Sequence, residues 1–195
     1  MLHRYFPRAA VAVSLAAMPF VSYSTSVIGD PATAATTRQP AVTMHIGTIP
    51  DDLRAKDLAV PVLGVEADRL TPQFFDARGE RDHAALDIMA PRGTPVVVAD
   101  EGRIAKLFTS AGGGLTVYQF DPTETYVYYY AHLDRYAGGL AEDDIVKRGQ
   151  VIGYVGSTGN ANPLAPHLHF AIFRLGPEKL WWKGEALDPY PTLTW

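Results

Sequence analysis

The chain has no cysteine. A disulfide framework, a thiolate metal site and a cysteine nucleophile are therefore excluded, and any metal must be held by His, Asp or Glu. Positive charge is also scarce: 17 Lys and Arg stand against 21 Asp and Glu, a net charge of −4. Nucleic-acid binding needs a basic face, so this balance argues against a nucleic-acid partner. Helix-period patterns are rare. The one long apolar run, Ala9 to Val21, is shorter than the roughly 20 residues of a comfortable membrane span. With 47% apolar and 19% charged residues the composition is that of a globular protein, and 195 residues leave room for one domain plus a leader.

Arg4 and Arg8 ahead of the apolar run, with the small residues Ser22 and Ser24 after it, read as an export signal. Residues 1–24 are expected to be a signal peptide or, if uncleaved, an anchor in the inner membrane. Either places the chain in the periplasm or cell envelope. Removal of the leader takes the 17 basic residues to 15 against 21 acidic ones, a net charge of −6. Residues 25–57, rich in Ala, Thr and Pro, are expected to be a linker or lead-in that could fold back over a groove as a latch. The domain is then expected over 58–195.

Past Val60, short β-branched or aromatic runs alternate with Gly and Pro. Strands are expected at Ala85–Met89, Pro95–Ala99, Gly102–Phe108, Leu115–Phe120, Tyr126–His132, Val151–Val155 and His167–Phe173. Ala111–Gly114 reads as a hairpin turn, Asp121–Thr125 and Lys147–Gln150 as further turns. The expected fold class is all-β, built of two packed antiparallel sheets.

Within the last expected strand stands His167-Leu168-His169. Side chains alternate faces along a strand, so both imidazoles project from one face while Leu168, Phe170 and Ile172 enter a core. Two imidazoles side by side make half of a metal site. Of the other histidines, His3 and His45 lie in the N-terminal region, leaving His83 and His132. His83 and Asp87 are four residues apart, the same face in a strand or a helix. Together with one histidine of the pair they would give three N/O ligands, the number a catalytic zinc takes. The remaining histidine and His132 would then be proton-transfer groups. Taken singly, His83 with Asp87 is equally a surface ion pair, and His132 equally a half-buried strand residue.

The ordered blocks make a further point. Val60-Pro61-Val62, His83 to Ile88, Ala90 to Val96, Gly102-Arg103-Ile104, Gly113-Gly114, Tyr130 to Leu133, Val146 to Gly153, Val155 to Gly159 and His167 to Phe170 resemble the lysostaphin-type (LytM-like) zinc metallopeptidases, which cleave peptide cross-links of bacterial peptidoglycan. The resemblance runs from about residue 58 to 175. It implies a β-sandwich whose sheets form a groove, and one zinc per chain held by His83, Asp87 and His169. It further implies His132 and His167 as the catalytic pair, and a peptidoglycan peptide as substrate. The choice of His169 over His167 as ligand comes from the resemblance alone.

One departure is Ala85, where these enzymes usually carry Gly; its methyl group could narrow the cleft or shift the backbone. Leu180-Trp181-Trp182-Lys183 and Pro189-Tyr190-Pro191 lie outside the common blocks. They either line a groove or close the core as an aromatic clamp. A noncatalytic wall-binding or amidase-activating module of the same fold is the alternative. Such relatives lose ligands, whereas all five positions here are competent. A cupin-like barrel would need a Glu soon after the histidine pair, and the first acid after His169 is Glu178.

Overall fold

The structure, a computed structural model, describes residues 49–79 and 81–193. The expected leader, His3, His45 and most of the expected linker lie outside the described residues. Among the described residues no helix is long and apolar enough to cross a membrane. Helix α1 (Asp51–Arg54) and a 3-10 turn (Ala67–Arg69) precede a ribbon of β1 (Ala77–Arg78) and β2 (Arg81–Asp82). Then follow β3 (Leu86–Met89), β4 (Pro95–Val97), β5 (Gly102–Ser110), β6 (Gly114–Phe120), β7 (Tyr126–Tyr136), β8 (Ile145–Val146), β9 (Val151–Val155), β10 (His167–Leu175) and β11 (Gly184–Leu187), closed by α2 (Tyr190–Leu193).

The architecture is all-β and antiparallel, as expected, and every expected strand forms with small shifts at its ends. The layers are joined into one nine-stranded sheet ordered β11-β10-β7-β6-β5-β8, with β3 on β10, β9 on β7 and β4 on β9. Strand β7 makes the join. Its residues Tyr126–Ala131 pair with β10, and its end pairs with β9 from Leu133 to Tyr136. Strand β11 is additional to the expected set. Gly184-Glu185-Ala186-Leu187 has no β-branched or aromatic residue, so only its ladder to β10 makes it a strand.

Alternation along β10 divides the interior. Leu168, Phe170 and Ile172 enter the main core with Ile104, Val117, Tyr128, Tyr130 and Leu133. Ala171 and Leu175 join a smaller cluster on the histidine-bearing face with Ala85, Tyr118, Phe120, Val127, Tyr129 and Ala131. Each fully buried aromatic or leucine in the main core is worth about 2–5 kcal/mol against alanine.

Part of the segment expected as lead-in, from Asp51 onward, packs on the domain. Leu53 is fully buried and Leu58 nearly so, in the main core with Leu193. Lys56 Nζ lies 2.8 Å from Asp100 Oδ2 and 3.3 Å from Asp121 Oδ2. A helix of one turn is too short to carry a periodic signal, so its apolar anchor is invisible in the sequence.

Candidate metal centre

The ladder of β3 on β10 sets the site. Asp87 stands opposite His169, and Met89 opposite His167. Directly opposed residues share a face, so the carboxylate and both imidazoles meet on the same side of the sheet. His83 arrives from the turn after β2, where Ala84 adopts a left-handed conformation with φ 57°. That conformation is costly for a residue with a Cβ, and it is held by the Ala84 N–H donating to the Phe74 carbonyl at 2.9 Å. The turn brings the His83 ring edge-on to His169, centroids 4.9 Å apart.

Three donor atoms converge. His83 Nε2 is 3.0 Å from Asp87 Oδ1 and 3.2 Å from His169 Nδ1, and His169 Nδ1 is 3.0 Å from Asp87 Oδ1. A carbonyl can only accept, so His83 Nδ1 donates its proton to the Gln73 carbonyl at 3.2 Å. In the tautomer that carries only this proton, Nε2 turns its lone pair toward the carboxylate oxygen. Lone-pair atoms this close repel unless a cation or proton lies among them. A tetrahedral zinc with bonds of about 2.0–2.1 Å needs donors roughly 3.3 Å apart, so the set fits with shifts of a few tenths of an ångström. His83, Asp87 and His169 are the group of described residues whose ligand atoms could hold a metal ion.

The charge states suit that role. Burial by itself would raise the Asp87 carboxyl, but the imidazoles of His169 and His83 set against it outweigh that and hold the group well below the usual carboxylate range. Burial pushes His169 down toward the neutral form. An ionised carboxylate and neutral imidazoles are the forms that ligate.

His132 and His167 stand beside this set, their rings 5.0 Å apart, with His132 5.6 Å from His169. His132 Nδ1 donates to the Thr158 carbonyl at 2.8 Å, and His167 Nδ1 to the Ala165 carbonyl at 2.8 Å. Both rings therefore keep Nε2 for other partners, and His167 Nε2 lies 3.7 Å from Asp87 Oδ1. Burial pushes His132 down to about 4, partly offset by the Thr158 bond, so it is neutral at physiological pH. Its backbone is left-handed, φ 61°, where the pairing of β7 slips register against β6. Such a bulge re-aims a side chain. Here it turns the His132 ring toward the two histidines of β10.

Sequence reasoning missed three residues. Gln73 supplies the carbonyl for His83, and its side-chain amide bonds the Asp87 backbone at both N–H and C=O. Arg78 Nη2 donates to the second Asp87 oxygen at 2.9 Å. Thr158 fixes His132 through its carbonyl while its hydroxyl donates to the Leu133 carbonyl and accepts from the Leu115 N–H. This clamp needs Gly114, since a Cβ there would lie 2.2 Å from Thr158 Oγ1. None of the three stands at a spacing that suggests its partner.

The aromatic stretches divide. Trp181 packs on Tyr118 and Phe108, centroids 4.7 and 5.5 Å away, and so covers the smaller cluster. Tyr190 packs on the main core instead. Ala85 is 1% exposed, its methyl held within the smaller cluster.

The chain is similar to known proteins over part of its length. The chain is 36% identical over 126 residues to the L-Ala–D-Glu endopeptidase of Bacillus subtilis, covering 60% of this chain and 37% of that protein. To the peptidoglycan DD-endopeptidase ShyC of Vibrio cholerae it is 36% identical over 97 residues, 50% of this chain and 21% of that one. The chain thus spans well under half the length of each of these curated relatives. Lysostaphin from Staphylococcus simulans superposes with a TM-score of 0.54 at 27% identity, covering 70% of this chain and 52% of that one. The catalytic domain of the prophage-encoded M23 protein EnpA from Enterococcus faecalis gives 0.51 at 27% identity, with coverage of 62% and 87%. The pattern of Peptidase family M23 matches residues 81–189, a stretch that holds the His83–Asp87–His169 cluster, His132, His167 and the sheet beneath them. With more than half of its length inside that match, the chain belongs to peptidase family M23.

Proposed function

We propose that the protein is an exported zinc metalloendopeptidase that hydrolyses amide bonds in peptidoglycan cross-links or stem peptides. The observation that carries this reading is the convergence of ligand atoms from His83, Asp87 and His169, flanked by two histidines whose Nδ1 atoms are bonded to carbonyls and whose Nε2 atoms face the site. Those three residues would hold one zinc per chain. Zinc bound there supplies Lewis acidity, polarising the scissile carbonyl and bringing the pKa of a water toward neutrality. His132 and His167 would take the proton of the attacking water at Nε2 and return it to the leaving amine nitrogen. Arg78 occupies the outer Asp87 oxygen and so leaves Oδ1 to the site.

Export rests on Arg4, Arg8 and the apolar run that follows, with residues 1–24 as leader. A peptidoglycan substrate is supported by the relatives, whose names describe different bonds: L-Ala–D-Glu in one and a DD-linkage in another. No observation favours a noncatalytic module, which would be free to lose ligands.

The test is digestion of purified peptidoglycan by the zinc-loaded protein, followed by chromatography and mass spectrometry of the soluble products. New peptide amine and carboxyl ends, absent with His169→Ala, are expected. Release of glycan fragments with intact peptides, or no release at all, would overturn the reading.

A further inference from the structure

Beside Asp87, on the edge of β3 away from β10, lies a cavity of about 90 Å³ lined by Val65, Arg69, Thr71, Gln73, Asp87 and Met89, among others. We propose that it is an anion subsite, in which Arg69 receives a carboxylate on a short aliphatic part of the substrate peptide next to the scissile amide. The inference rests on the endopeptidase reading and names the substrate chemistry it would select.

Position comes first. Asp87 is registered with His169 and Met89 with His167, so the cavity adjoins the reacting centre and not a remote surface. Its outer wall is the segment before β1, and that segment is tied to the site. Gln73 bonds the Asp87 backbone through its side chain and His83 through its carbonyl. Arg69 ends the 3-10 turn Ala67–Arg69, four positions before Gln73, and so enters from a held backbone.

Charge comes second. Arginines 78, 92, 103, 135 and 148 each pair with a carboxylate. Among the described residues Arg69 has no such partner, although the chain carries more acid than base. Asp87 does not cancel it. One Asp87 oxygen belongs to the histidine cluster and the other to Arg78. Thr71 adds a directional donor. Its oxygen accepts from Gln73 Nε2 at 3.1 Å, leaving its own hydrogen to give away.

Size and walls set the ligand class. A volume of about 90 Å³ is enough for several waters, and so for a carboxylate with its neighbouring carbons. Val65 and Met89 offer apolar contact for those carbons. A planar guanidinium reads a carboxylate through two parallel hydrogen bonds, which a neutral carboxamide cannot reproduce.

The experiment uses the full zinc-loaded chain and the stem tetrapeptide of peptidoglycan, with its carboxylates free or converted one at a time to carboxamides. Affinity is measured by titration calorimetry, and cleavage in parallel. One conversion is expected to weaken binding at least about tenfold in the wild type. Arg69→Ala should bring that ratio to about one, and Arg69→Lys should leave it in between. Because Arg69 is exposed, the variants should fold, and zinc content checks that they have. Equal binding of all forms by the wild type, or a ratio that survives in Arg69→Ala, overturns the subsite. Arg69-dependent binding without any cleavage keeps the subsite and removes the endopeptidase reading instead.

Discussion

Gln73 treats Asp87 as a neighbouring strand would. The Asp87 N–H donates to Gln73 Oε1 at 3.3 Å, and Gln73 Nε2 donates to the Asp87 carbonyl at 3.4 Å. One amide side chain thus closes the open edge of β3 at the residue proposed as the carboxylate ligand. Groups that orient a ligand affect metal affinity by about 10–100-fold when removed. Gln73→Ala is expected to weaken zinc binding by about tenfold, read by competition with a chromogenic chelator. Affinity equal to wild type would reduce Gln73 to an edge filler.

Zinc content tests the ligand set directly. Wild-type protein purified with zinc present should carry one ion per chain, by elemental analysis against protein concentration. His83→Ala and His169→Ala should each lose most of it, because two donors cannot close a site that needs three. A full complement in either variant would remove that residue from the set.

His132 and His167 should separate binding from chemistry. Their alanine variants are expected to keep zinc and to lose about 10²–10⁴-fold in peptide turnover, the usual worth of a positioned proton-transfer group. Rates on a soluble stem peptide, with zinc measured in the same samples, decide this. Turnover near wild type would make both residues structural.

Part of the acid sensitivity should trace to a pair outside the histidine cluster. Burial would raise Asp121, but the Tyr126 N–H, the Thr123 hydroxyl and Lys56 together hold it below its ordinary 3.8. Burial would lower Lys56, but Asp100 and Asp121 hold it above 10.5. A depressed acid stabilises above its unfolded pKa and loses that contribution as pH falls through the folded value; a raised base loses its contribution as pH climbs through its own. The pair therefore contributes across the window from 3.8 to 10.5. Asp121→Asn should cost about 1–3 kcal/mol at pH 7, by urea unfolding, and the gap to wild type should narrow toward pH 3. A gap constant with pH would refute the assignment.

Much of the fold was legible because it rests on a period of two. The alternation in His167–Phe173 placed both histidines on one face, and the apolar runs located β3 to β7, β9 and β10. What escaped has a common cause. Strand β11 has weak intrinsic propensity and exists through its pairing with β10. Helix α1 is one turn long and is held by Leu53 and Lys56, whose partners lie far along the chain. Thr158 reaches His132 across 26 positions and Gln73 reaches His83 across 10, distances at which no local pattern exists.

By itself, the order of residues determined that no thiol takes part and that the domain is built of antiparallel strands, and it singled out His83, Asp87, His132, His167 and His169 as candidate groups. These follow from composition and side-chain periodicity, which are local properties. Only the tertiary structure decided which atoms meet. His83 presents Nε2 and His169 presents Nδ1, because the Gln73 carbonyl takes the other nitrogen of His83 and the β3–β10 register sets His169 opposite Asp87. The tautomer depends on a carbonyl 10 positions away and the register on a strand partner 82 positions away, and such partners exist only once the chain has folded.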